Sequence, residues 1–197
     1  IYPIPDVAVR EQIQTILDDI FPKAIKIGMV HTSELVQIIT DTLGRYPATP
    51  VVFDPVMVAT SGHKLIEEST IRTLVEQLFP ITTVLTPNMD EAAILAEMDV
   101  KTLDEMYIAG EKILKLGCQS VLLKGGHLQT SMLTSLFFDQ SGLVQTFEFE
   151  KFDTNNTHGS GCTLSSAIAS YLARGESLSE AVRLGQDYVH QAILNGK

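Results

Sequence analysis

Apolar positions along the chain alternate between two periods. Short β-rich runs at Ala24 to Val30, Pro50 to Asp54, Thr82 to Thr86 and Ser120 to Lys124 are apolar on both faces, as buried parallel strands are. Between them lie helical stripes. Val9, Ile13, Ile16, Leu17 and Ile20 form one; Leu35, Val36, Ile38, Ile39 and Leu43 form a second, with Ser33 as its candidate N-cap; Ile71, Leu74, Val75 and Leu78 form a third. Thr102-x-x-Glu105 is a capping box that opens a helix, with Gly117 just past its end, and Ser177-x-x-Glu180 opens the last helix in the same way. Met132 to Phe138, the turn Asp139-Gln140-Ser141-Gly142, and Leu143 to Phe149 predict a hairpin. Together these elements predict an α/β fold: a mostly parallel central sheet flanked by helices on both faces, with an antiparallel hairpin on one edge. No repeat, low-complexity tract or linker divides residues 1–197, which read as a single domain.

Among the 197 residues, 24 acidic and 14 basic side chains leave a net charge of −10, and 45% hydrophobic against 19% charged residues is enough to bury a core. A wholly disordered chain is excluded. Scattered basic residues on an acidic surface argue against a nucleic-acid partner, while small anions remain open as ligands of backbone N–H groups or a few placed cations. No apolar run approaches the roughly 18 residues of a membrane-spanning helix. The two cysteines, Cys118 and Cys162, form no disulfide framework or Cys-x-x-Cys pair, which points to a reducing, cytoplasmic setting. The five histidines form no His-Glu-x-x-His pair. A start at Ile1 and an end after Asn195-Gly196 suggest a piece of a longer chain.

In open α/β sheets, ligands bind beyond the carboxyl ends of the strands. Here those ends carry Gly28-Met29, Asp54-Pro55, Thr86-Pro87-Asn88-Met89-Asp90-Glu91 and Lys124-Gly125-Gly126-His127. The most distinctive segment is Asp153-Thr154-Asn-Asn-Thr-His158-Gly159-Ser160-Gly161-Cys162, which runs into the helical pattern Leu164 to Ala173, closed by Gly175. Its glycines let N–H groups converge on one concavity, and the helix terminus adds roughly half a positive charge. It is neither a Walker A loop nor Gly-x-Gly-x-x-Gly; the competing reading is a tight turn that only starts a helix. Cys162 at that helix start is expected to have its pKa lowered from about 8.5, giving a base or nucleophile, whereas Cys118 reads as packing. Asn88-x-x-Glu91 suits either a Mg²⁺ site at the sheet edge or a helix cap. Asp54 is either functional or a turn residue, and Lys124 is either a phosphate-binding point charge or a snorkelling strand-end lysine. His158 donates to a phosphate or caps the loop; His31, His63, His127 and His190 read as surface or loop residues, and Met29 as pocket lining or, preferably, core.

Five segments in this order resemble the ribokinase-like superfamily, and within it the hydroxymethylpyrimidine/phosphomethylpyrimidine kinases of thiamine synthesis: Ala24 to Met29, Val52 to Met57 with Ser61-Gly62, Thr86 to Ala92, Leu123 to His127, and Asn156 to Ser165. Sugar-kinase relatives carry Asp where Cys162 stands, so the resemblance points away from sugars. It implies phosphorylation of 4-amino-5-hydroxymethyl-2-methylpyrimidine and of its monophosphate, with ATP and Mg²⁺. Carried over position by position, it implies that Asn88 and Glu91 hold Mg²⁺, partly through water, and that Lys124, Thr154, His158 and Asp54 bind ATP. Gly159, Ser160, Gly161 and the Cys162 N–H would form an anion hole, Cys162 would act as base, and Met29 would touch the acceptor. A homodimer is implied as well. The sequence departs from the family at Ile27, where Thr is usual. The family's opening Gly-rich strand is expected before Ile1, and its His- and Gly-rich tail after Lys197. The alternatives are a pyridoxal or pyridoxine kinase, and a nucleotide- or pyrimidine-binding module without catalysis.

Overall fold

The computed structural model describes residues 4–46, 49–58, 65–126, 128, 131–154 and 157–196. Six strands, β1 (Ile25–Ile27), β2 (Val51–Phe53), β3 (Val84–Leu85), β4 (Ser120–Gly125), β5 (Met132–Asp139) and β6 (Gly142–Glu150), lie side by side in sequence order. The first four are parallel and the last two add an antiparallel hairpin, so the predicted architecture stands, with β1 to β3 shorter than the apolar runs that announce them. The hairpin turn is Gln140-Ser141: Ser141 N–H and Oγ both donate to Asp139 Oδ1, and Gly142 takes φ +110°.

With right-handed crossovers, strands in sequence order place every connecting helix on one face. Accordingly α2 (Ser33–Leu43), α4 (Met89–Ala96) and α5 (Leu103–Leu114) share one core with Phe53, Leu85 and Leu123, joined by Leu17 of α1 (Asp6–Asp19). The opposite face, lined by Val52, Val84 and Leu122, is left for α6 (Ser160–Ala173) and α7 (Leu178–Leu194), which cover it with Leu164, Ile168 and Val182. Neighbours such as Val52 and Phe53 therefore enter different cores, which is why the strands read as unbroken apolar runs. The chain returns from the edge strand β6 to the middle of the sheet, and α6 packs across β1 and β2.

Local signals are realised with three changes. Thr32, one residue before Ser33, is the N-cap of α2, its Oγ1 accepting from Leu35 N–H at 3.2 Å. The third helical stripe is not one regular helix: α3 (Glu68–Thr73) opens into a π-turn over Leu74–Leu78 and a 3₁₀ turn over Phe79–Ile81. Pro80 lacks an N–H and crowds the carbonyl four residues back, so a widened ladder, with Phe79 N–H on Leu74 O, accommodates it. Thr102 and Glu105 form the reciprocal capping box. Ser177 accepts from Glu180 N–H, but the Glu180 carboxylate pairs with Arg183 at 2.6 Å instead of closing the box.

Helix α5 lies so close to the sheet that a Cβ on Gly110 would stand 2.2 Å from the Phe138 ring. Gly110→Ala is expected to lower stability by about 2 kcal/mol despite its better helix propensity, because overpacking outweighs it. Urea unfolding at constant m-value measures the effect.

Candidate active site

A buried carboxylate and a largely covered ammonium from distant strands meet at the carboxyl edge. Asp54, just past β2, is 2% exposed and accepts from Lys124 Nζ of β4 at 3.0 Å and from Thr86 Oγ1 at 3.2 Å. Lys124 N–H donates to Pro87 O at 2.9 Å and the residue bridges to Asn88, which clamps the Thr86-Pro87-Asn88 segment beside β4. Lys124 is therefore an ion-paired, largely covered cation, neither a free point charge nor a snorkelling lysine.

Onto this pair comes the start of α6. Gly159 is its N-cap at φ +79°, a conformation that favours glycine, and Ser160, Gly161 and Cys162 form the first turn. A Cβ on Gly161 would lie 3.3 Å from Lys124 Nζ and 3.8 Å from Asp54 Oδ2, so the helix terminus sits directly on the ion pair. Gly159 O accepts from Thr163 N–H at 2.9 Å, while the Cys162 side chain is exposed. His158 is exposed in the preceding turn and Thr154 lies in the loop leading to it; Asn156, like Ser61, Gly62, His63 and His127, lies outside the described residues. The Cys118 thiol is fully buried, and burial pushes its pKa up to about 12, as a packing role requires.

Asn88 and Glu91 do not point freely at the edge. They cap α4 reciprocally, Glu91 N–H donating to Asn88 Oδ1 at 2.9 Å and Asn88 N–H to Glu91 Oε2 at 2.7 Å. Glu91 is 2% exposed; burial pushes its pKa up to about 7 against the pull of Lys124 and of the Asn88 and Met57 N–H groups, while nearby Asp54 adds to the rise. Among the described residues no group of three or more His, Cys, Asp and Glu could hold a metal ion directly. With Glu91 ionised, Asp54 and Glu91 outnumber Lys124 by one negative charge, so this oxygen donor set fits a hydrated divalent cation held through its waters.

Two readings change at other positions. Met29 is 39% exposed and lines a cavity of about 720 Å³ at the end of β1, so it is not core. His190 is no surface residue: within α7 its ring stacks at 4.6 Å on Phe149 and 5.1 Å on Phe152. Sequence reasoning missed Thr86 as a partner of Asp54, although its place directly before Pro87-Asn88 at a strand end was a usable signal.

The fold that carries this site, a glycine-rich helix start seated on a Lys–Asp pair at the carboxyl edge of the sheet, is the ribokinase-like fold of solved phosphomethylpyrimidine and pyridoxal kinases. The sequence model of the family "Phosphomethylpyrimidine kinase" matches residues 1–197, and the chain belongs to that family. It is 43% identical over 186 residues to the hydroxymethylpyrimidine/phosphomethylpyrimidine kinase of Rhizobium meliloti, a match covering 94% of this chain and 69% of that enzyme. It is 37% identical over 199 residues to a probable thiamine biosynthetic bifunctional enzyme of rice, and spans 36% of that protein's length. The ADP complex of Bacillus subtilis pyridoxal kinase superposes with a TM-score of 0.90 at 35% identity, over 98% of this chain and 72% of that one.

Proposed function

We propose that the protein transfers the γ-phosphoryl group of ATP first to the hydroxymethyl group of 4-amino-5-hydroxymethyl-2-methylpyrimidine and then to the resulting monophosphate, giving the diphosphate used in thiamine biosynthesis. The observation that carries this reading is the α6 terminus lying on the Lys124–Asp54 pair, with Gly161 3.3 Å from Lys124 Nζ where a Cβ would be. Phosphoryl transfer needs positioning and charge stabilisation more than covalent chemistry, and this is an anion site that needs little reorganisation.

The N–H groups of Gly161 and Cys162 would face the oxygens of the phosphoryl group in flight, with Gly159 shaping the turn; the expected share of Ser160 falls away, because its N–H donates to Thr157 O at 3.2 Å. Lys124, oriented by Asp54 and indirectly by Thr86, adds a fixed positive charge; His158 and Thr154 flank the triphosphate from the loop. Asn88 and Glu91 would hold Mg²⁺ through water, and that ion would neutralise charge on the triphosphate. In the first step the Cys162 thiolate takes the hydroxymethyl proton as the oxygen attacks the γ-phosphorus, and the bond to the β,γ-bridging oxygen breaks to release ADP. In the second step the acceptor oxygen is already ionised, so no base is needed.

Cys162→Ala is therefore expected to slow phosphorylation of the alcohol about 100-fold while changing that of the monophosphate only a few-fold, read as ADP release with each acceptor. Equal losses in the two steps would remove Cys162 as the base. The likeness to a pyridoxal kinase supports a second acceptor reading. Assaying pyridoxal beside the pyrimidine alcohol decides between them, and binding of ATP without product from any of these acceptors would favour the module without catalysis.

A further inference from the structure

The second step brings an anion carrying about two negative charges to a protein with a net charge of −10. Lys124 is already paired with Asp54 and, in the proposed mechanism, is committed to the donor phosphates. Another cation stands on the acceptor side. Lys26 of β1 points its side chain on toward the strand's carboxyl end: its Nζ is 3.0 Å from where a Cβ on Gly28 would be. Gly28 adjoins Met29, and both line the cavity together with Lys26 and His31. Asp54 N–H donates to Ile27 O at 2.9 Å, so this end of β1 lies directly beside the strand end that carries the ion pair. Among the described residues the side chains of Lys23, Lys26 and Lys115 make no ion pair or hydrogen bond, and of these Lys26 alone is half-buried, the other two being exposed. A partly covered ammonium without a side-chain partner among the described residues, on the same sheet face as Val52 and beside the strand end that carries the ion pair, matches an anionic ligand group better than a solvated surface position.

We propose that Lys26 binds the phosphate of the monophosphate acceptor and so favours the second phosphorylation over the first. This rests on the reading of the preceding subsection. The ammonium receives the phosphate of the incoming monophosphate from the β1 side while the anion hole and Lys124 hold the transferring group from the α6 side. The alternative is a lysine that only guards the edge of β1 against pairing with another strand.

The test compares the intact gene product with Lys26→Met, which keeps the apolar stem, and Lys26→Arg, which keeps the charge. The pyrimidine monophosphate is titrated calorimetrically into each, and KM is measured for both acceptors. The proposal expects Lys26→Met to weaken monophosphate binding about 10-fold or more and to raise its KM by at least as much relative to the alcohol, with Arg restoring most of the loss. Equal affinity of wild type and Lys26→Met for the monophosphate overturns it, as does an equal change for both acceptors. If wild type phosphorylates neither acceptor, the proposed function falls, and the calorimetric comparison still decides the role of Lys26.

Discussion

Lys124→Met is expected to reduce turnover roughly 1,000-fold and to destabilise the fold by about 3 kcal/mol at the same time. Both effects arise from one contact. The Asp54 side chain is 3% exposed and its Oδ1 accepts from Lys124 Nζ at 3.0 Å, so removing the ammonium strands a buried carboxylate whose remaining donor is Thr86 Oγ1 at 3.2 Å. An unpaired charge of this kind costs far more than an exposed ion pair contributes. The two effects separate in the double variant Asp54→Asn with Lys124→Met. It removes the stranded charge and should recover most of the stability, because a neutral amide still accepts from Thr86, but it should recover little turnover. Urea unfolding and ADP release read the two quantities independently. Near-normal turnover in Lys124→Met would take Lys124 out of the phosphate site.

Folding stability should carry a mark of Glu91. Its carboxyl is raised from the usual 4.5 to about 7, first by burial. A folded protein that binds this proton more tightly than the unfolded chain loses stability as pH rises through the window between those two values. The contribution is complete below about pH 4.5, declines through pH 7 and is gone above it, a change on the order of 3 kcal/mol. Glu91→Gln keeps an oxygen for the Asn88 N–H and cannot ionise. The difference in unfolding free energy between wild type and Glu91→Gln, followed from pH 4.5 to 8, should therefore swing toward the variant by about that amount. A difference independent of pH would show that the carboxylate is not penalised by its surroundings. The cap itself remains in the variant, so the measurement isolates the charge from the helix start.

Both effects depend on burial across long separations, and that divides what could be read in advance from what could not. Capping boxes, the turn at Asp139-Gln140-Ser141-Gly142 and the glycine after α5 are contests among residues a few positions apart, so Thr102, Glu105 and Gly117 announce themselves. Strand identity was legible for the same reason, since apolarity on both faces reflects two cores, one under α2 to α5 and one under α6 and α7. Even local signals fail where two neighbours compete, as Thr32 and Ser33 do for one cap, or where a proline downstream perturbs a helix, as Pro80 does.

The sequence by itself determined the order of strands and helices, the hairpin on the edge, the glycine-rich start of α6 and the set of polar residues gathered at the strand ends. These follow from periodicity and short-range hydrogen bonding. Only the tertiary structure decided which of those polar residues meet. Lys124 and Asp54 are 70 positions apart and Asp54 and Thr86 are 32, and nothing in either neighbourhood names the partner. It also decided that Met29 lines a cavity and that His190 stacks on Phe149 and Phe152. The physical reason is that a charge or a ring is assigned its role by the surroundings that desolvate it. Those surroundings form only when β2, β4 and α6 are brought to one edge of the sheet.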